Sequence, residues 1–190
     1  RGEHSGEGIS SPGVAGGGRH AALASELHAK WQSRSGPLGY AAKAALLYLT
    51  HYFSRFHIAY TDVDSGTTHS LQASSLMAVR ITDFGNVLKR LAPGAALEHD
   101  DLRLVIWKSN ARLSFPLHLS AAYLGYSGNL PGVVFANASA VTCTALPDRP
   151  RNRTPRIIRA EADGEHLGRL SVRLSIERAA FTLLMPPSSS

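Results

Sequence analysis

The stretch from Arg159 to Pro186 constrains this chain more than any other, because it sets two carboxylates on a tight turn between two alternating segments. Asp163-Gly164 is a strong hairpin signal, since glycine takes positive φ without a Cβ clash, and Glu165 follows it directly. Downstream, Val172, Leu174 and Ile176 fall on one side of an extended chain and Arg173, Ser175 and Glu177 on the other. That is the pattern of a strand with one face in a core and one in water. A carboxylate held on so rigid a turn can be aimed at a substrate proton. The same residues also read as a solvated hairpin tip.

A chain of 190 residues with 44% hydrophobic content is enough for one domain, or for one lobe of a larger protein, with a real core. The net charge of +6 favours anionic partners: phosphate esters, nucleic acid or an acidic membrane surface. Cys143 stands alone, which excludes an intramolecular disulfide, and its apolar-rich surroundings read as a buried small hydrophobe rather than a nucleophile. No run approaches the roughly eighteen apolar residues of a membrane span, and the start lacks a signal-peptide pattern. A reducing, cytoplasmic setting is expected, in which the sequons at Asn137 and Asn152 carry no meaning.

Residues 1–18 hold seven glycines among serines and few large apolar groups, a composition that does not offset its ordering entropy. We read 1–35 as disordered or poorly ordered, 36–187 as one domain and 188–190 as a tail. Gly36-Pro37 opens the best helical stretch, with Tyr40, Ala44 and Leu47 on one stripe. The period then changes to two. Phe56, Ile58 and Tyr60 alternate into a turn at Asp62–Gly66, and a second strand is expected around His69–Thr82. An acidic loop, His99-Asp100-Asp101, runs into a strand whose Leu102, Leu104 and Ile106 share a face. Residues 115–126 read as a helix, 133–145 as a strand and 147–155 as a basic, proline-rich loop.

The order of these signals resembles the carboxyl-terminal lobe of the diacylglycerol kinase-like lipid kinases, a group that includes sphingosine kinases and bacterial lipid kinases. The resemblance runs over roughly residues 36–187. It rests on Gly36-Pro-Leu-Gly-Tyr40, on Leu91-Ala-Pro-Gly-Ala95 with the acidic loop into Leu102-Arg-Leu-Val-Ile106, and above all on Asp163-Gly-Glu165-His-Leu-Gly168. It implies a mainly β fold with a few helices: the two-layer β-sandwich lobe of the NAD kinase/diacylglycerol kinase-like fold. In that fold a separate amino-terminal α/β lobe carries a Gly-Gly-Asp-Gly-Thr loop for nucleotide phosphates. No such loop occurs here, and Gly16-Gly17-Gly18-Arg19-His20 does not replace it.

The resemblance implies an ATP-dependent kinase acting on a lipid hydroxyl, of diacylglycerol or sphingoid-base type, with this chain as the substrate-binding lobe and inactive alone. Glu165, or Asp163, would be the general base. A structural Mg²⁺ would fall on the carbonyls of Leu97 and Leu102 and the carboxylate of Asp100, oxygen donors that suit a hard cation. Here this sequence departs from the family, with one extra residue between Pro93 and Leu102 and Asp101 in place of the usual glycine. The expected partners are the lipid substrate, the missing kinase lobe and, through peripheral contact, a membrane surface; nucleic acid is not among them. The arginines at 149, 151, 153, 156 and 159 could meet phosphates or lipid head groups, or form a solvated loop. His99 and His166 flank the acidic motifs without zinc-like spacing. The alternative from another class is a non-catalytic β-sandwich module that binds a lipid or an anion.

Overall fold

The computed structural model describes residues 14–18, 54–81, 91–96, 99–108, 114–126, 130–147, 158–163 and 165–177. Nine strands are described: β1 (Val14–Gly18), β2 (Phe56–Asp62), β3 (Thr68–Ala73), β4 (Ser75–Val79), β5 (Leu102–Trp107), β6 (Val133–Ala145), β7 (Arg159–Ala162), β8 (Glu165–Arg169) and β9 (Val172–Ser175). One helix, α1 (Ser114–Tyr123), lies between β5 and β6. All pairings are antiparallel, in the order β3-β2-β6-β5-β4-β1-β7-β8, and β9 joins at β6.

Connectivity forces this sheet to fold over on itself. Only Ser74 separates β3 from β4, so Ala73 and Ser75 lie at most about 7 Å apart along the chain. Yet β3 and β4 are four strands apart in the sheet, about 19 Å if it were flat. The sheet must therefore bend. The corner is pinned by Ser74, whose amide (2.8 Å) and hydroxyl (3.1 Å) both donate to the Trp107 carbonyl.

The second bend is in β6, whose residues 133–138 pair with β5 while 140–143 pair with β9. Its register against β2 shifts between Tyr60↔Val141 and Asp62↔Ala138. That extra residue exchanges the faces of the strand. Ala136 and Ala138 point into the interior before the shift, and Val141 and Cys143 after it. Strands that cross between layers at bends and bulges are how two sheets close around one core.

Phe56, Ile58 and Tyr60 from β2 meet Leu76 and Ala78 from β4 and Leu104 and Ile106 from β5 in that core. Phe56, Ile58, Leu76, Leu104 and Ile106 are fully buried, each contributing about 1.5–3 kcal/mol of transfer free energy. A second cluster lies on the opposite face of β4 and β5. There Met77, Val79, Val105 and Trp107 are covered by Leu91, Ala92 and Ala95 of the loop and Ala122 of α1. Covered on both faces, β4 is buried along its whole length.

The alternation around Asp62–Gly66 does fold as a hairpin: Gly66 has φ 64°, and Asp62 Oδ1 accepts from the Ser65 amide (2.8 Å) and hydroxyl (2.9 Å). These bonds hold the Asp62 carboxyl below its ordinary pKa. Two expectations need correction. The strand around His69–Thr82 is two strands, broken at Ser74 where the chain changes layers. Residues 14–18, assigned by composition to a poorly ordered segment, form β1, which sits between β4 and β7. Glycine weakens an isolated strand, but here the ladders on both sides fix the backbone. The helix expected after Gly36-Pro37 and most of the basic loop lie outside the described residues.

Candidate functional site

The expected hairpin is present as β7 and β8, joined through Asp163. Asp163 has φ 46°, the left-handed conformation that Asp and Asn tolerate better than other side chains. Its amide donates to the Val14 carbonyl (2.7 Å), and its Oδ1 accepts from the Val14 amide (2.8 Å). The turn is thus clamped to the first residue of β1. Glu165 opens β8 opposite Ala162, and His166 pairs with Glu161. A bulge at Leu167, where Ala160 pairs with Gly168 (φ 114°), completes the hairpin.

Sequence reasoning missed Glu161, which is 4% exposed at the centre of β7 between buried Ala160 and Ala162. Its register partner in β1 is Gly16, which in turn pairs with Met77. Glu161 therefore faces the α1 side of the sheet, across a strand that offers no side chain there. The letters carry no signal for its burial; the fold makes room for it because Gly16 lies opposite it and Gly17 follows in β1.

The acidic loop is held by arginines. Arg80 donates from a terminal nitrogen to the His99 carbonyl (3.0 Å), and Arg103 donates to Asn137 Oδ1 (2.8 Å) while its guanidinium stands 5.5 Å from the Phe135 ring centroid. Burial lowers the Arg103 pKa, against the opposing pull of Asp101 and Asp64. Gly94, at φ 87°, lets the loop cross over Arg103: a Cβ there would stand 3.7 Å from the guanidinium carbon. Asp101 is mostly buried and lies 3.9 Å from His99 Nδ1.

Of the expected metal ligands, Asp100 is exposed, Leu102 is half-buried at the start of β5, and Leu97 lies outside the described residues. Among the described residues no group of three or more His, Cys, Asp or Glu gathers with metal-binding geometry. An exposed carboxylate two residues from a strand-end carbonyl does fit part of an oxygen shell for a hard cation.

The two acidic motifs share one end of the sheet. Asp163 is tied to Val14, Val14 pairs with Val79, and Val79 pairs with Arg103. Three strand spacings separate the hairpin turn from the Arg103 position, about 14 Å, so the motifs are neighbours and not one coordination site. Cys143 is 1% exposed and burial pushes its thiol up to about 12, which leaves it inert, as its surroundings indicated. Of the arginine run only Arg159 is described, exposed on β7.

No protein-family model matches the sequence, and no curated protein matches it. Solved structures do. A candidate diacylglycerol kinase from Bacillus anthracis strain Sterne aligns with a TM-score of 0.54 and 13% identity, over 87% of this chain and 48% of that one. The chain has a diacylglycerol kinase-like fold. Two further Bacillus anthracis structures, a candidate diacylglycerol kinase and a diacylglycerol kinase, align at TM-scores of 0.48 and 0.45, with 14% and 10% identity. They are matched over 87% and 83% of this chain and 55% and 47% of their own. The chain spans about half the length of these diacylglycerol kinase-like structures. Among the described residues no helix is long and apolar enough to cross a membrane.

Proposed function

We propose that this chain is the substrate-side, carboxyl-terminal lobe of an ATP-dependent lipid kinase. The observation that carries the reading is the Asp163-Gly164-Glu165 hairpin, clamped to β1 in a diacylglycerol kinase-like fold. In the reaction the acceptor hydroxyl oxygen of the lipid forms a bond to the γ-phosphorus of ATP while the bond to the ADP oxygen breaks. Glu165 takes the hydroxyl proton as the new ester forms. Phosphoryl transfer asks chiefly for positioning and charge stabilisation, so one placed carboxylate is an adequate protein contribution from this side. Mg²⁺ when bound supplies positive charge on the phosphates. The nucleotide itself belongs to the partner lobe, because this sequence has no Gly-Gly-Asp-Gly-Thr loop.

Asp163 is the second candidate base, and its bond from the Val14 amide favours a positioning role. The same bond supports the rival reading, a binding module in which the hairpin is scaffold. The acidic loop is proposed to hold a structural Mg²⁺ through the carbonyls of Leu97 and Leu102 and the carboxylate of Asp100.

The test is ATP-dependent phosphate transfer to a panel of diacylglycerol, sphingosine and related lipids, by this chain alone and joined to the sequence encoded upstream. Activity only in the joined form, cut at least roughly a hundredfold by Glu165→Gln with an unchanged melting temperature, supports the kinase lobe. A folded but silent joined form makes the binding module the better reading. Full turnover in Glu165→Gln removes Glu165 as the base.

A further inference from the structure

Two arginines meet the acidic loop, and they meet it differently. Arg80 binds its backbone, donating to the His99 carbonyl (3.0 Å). Arg103 makes no such bond: its one hydrogen-bond acceptor among the described residues is the neutral amide oxygen of Asn137, at 2.8 Å. Its Nε is buried and has no hydrogen-bond partner there. A guanidinium carries a full charge and five N–H donors, so this one uses little of its capacity in direct contacts.

The guanidinium is nevertheless held from several sides. It stands 5.5 Å from the Phe135 ring centroid, and Gly94 lies over it, where a Cβ would come within 3.7 Å of its Nε and central carbon. Asn137 also accepts the Val63 amide at its backbone carbonyl (2.9 Å), which ties the β2–β3 turn to β6. Arg103 thus sits where the acidic loop, β6 and that turn come together. The carboxylates whose fields reach it are Asp101 from the loop and Asp64 from the turn.

The loop needs such a charge. Glu98, Asp100 and Asp101 place three carboxylates in four positions, and like charges so close repel. Asp101 is the costly one, because its side chain is only 14% exposed and a carboxylate out of water must be compensated. The His99 ring, 3.9 Å away, is 59% exposed and is a cation only when protonated. Arg103 is charged throughout the physiological range and faces the loop from within the fold.

We infer that Arg103 is the resident counter-cation of the acidic loop: its charge holds Asp101 in place without metal, and a divalent ion at Asp100 binds against it. Leu102, whose carbonyl is proposed for that ion, is the residue next to Arg103, so guanidinium and metal share one patch of negative potential. The second half of the inference rests on the Mg²⁺ reading of the loop; the first half does not.

The experiment is thermal melting of the full chain, in chelator and across a Mg²⁺ titration, for the wild type, Arg103→Gln, and Arg103→Gln combined with Asp101→Asn. Glutamine keeps a donor for Asn137 and removes the charge. In chelator Arg103→Gln should melt below the wild type, and adding Asp101→Asn should bring the melting temperature back up, because the carboxylate left without its counter-charge is then neutral. A packing role on Phe135 would give no such rescue. In Arg103→Gln the Mg²⁺ concentration that gives half of the full stabilisation should fall at least about threefold. Overturning results are an Arg103→Gln melt in chelator equal to that of the wild type, or a double variant no more stable than Arg103→Gln. Should Arg103→Gln not fold, recovery of folding in the double variant supports the counter-cation, and failure to recover overturns it. Equal Mg²⁺ midpoints would overturn the opposition between guanidinium and metal. No response to Mg²⁺ in any of the three, with the rescue intact, would remove the Mg²⁺ reading and leave the counter-cation standing.

Discussion

Asp163 combines two demands that different substitutions separate. Its backbone is left-handed, and its carboxylate accepts from the Val14 amide. Asparagine meets both demands, since it keeps the Oδ1 acceptor and tolerates that conformation. Asp163→Asn should therefore leave the urea midpoint nearly unchanged, whereas Asp163→Ala should lose about 1–2 kcal/mol. If Asp163→Asn in a two-lobed form also keeps its turnover, the residue positions the hairpin and Glu165 remains the candidate base. His118 supports a prediction of a different kind. Its Nε2 is 3.2 Å from the Leu91 carbonyl, and its Nδ1 is buried without a partner. Burial lowers the imidazole pKa, against the smaller opposing effect of the Leu91 bond. The folded state thus binds the His118 proton less readily than the unfolded chain, whose imidazole titrates near 6.5. The stability this residue confers is complete above that value and is lost as the pH falls below it toward the depressed folded value. Urea unfolding at about pH 8 and pH 5 should show a steeper loss for the wild type than for His118→Phe; parallel losses would mean that His118 titrates normally when folded.

The acidic loop shows at the scale of an element what the sequence could and could not convey. Leu91-Ala-Pro-Gly-Ala95 was legible as an element of the family resemblance, and its buried residues cover β5. What the letters did not carry is that Arg80, just past the end of β4, and Arg103, on β5, would converge on it, because that convergence depends on the pairing of Val79 with Arg103. The same lesson applies to β1, whose glycines argue against a strand locally and whose order comes from β4 and β7 on its two sides. By contrast β2 and β5 were readable, since Phe56, Ile58 and Tyr60, and Leu102, Leu104 and Ile106, each share a face, while β6 was readable as a strand but not in its exchange of faces. The β7–β8 hairpin was readable from Asp-Gly alone, while buried Glu161 was not, because burial of a charge is a tertiary fact. If the loop binds Mg²⁺ through Asp100, adding the ion should raise the melting temperature and chelation should lower it again, and Asp100→Ala should lose that response while keeping the baseline. A melt that ignores the ion in the wild type would leave Arg80 and Arg103 as the loop's only cations among the described residues.

The whole molecule depends on two layers meeting over β1. A Cβ built on Gly17 would stand 3.9 Å from Phe56 of β2, 3.9 Å from Leu170 beyond β8 and 3.8 Å from the Arg159 carbonyl. Phe56 belongs to β2, next to β3, and Gly17 to β1, next to β7, so strands four places apart in pairing order come together across the core. Those distances are ordinary van der Waals contacts, so one methyl group fits. Gly17→Ala should be neutral or slightly stabilising, because it also restricts the unfolded chain. Gly17→Leu has no such room. Its added carbons must displace Phe56 or Leu170, both packed in the same core cluster, at a cost of about 1–3 kcal/mol. Because the layers share that core, the loss should appear as one shifted transition, identical by near- and far-ultraviolet circular dichroism. Two separated transitions would mean that the layers unfold independently. A Gly17→Leu protein as stable as Gly17→Ala would mean that β1 does not lie between them.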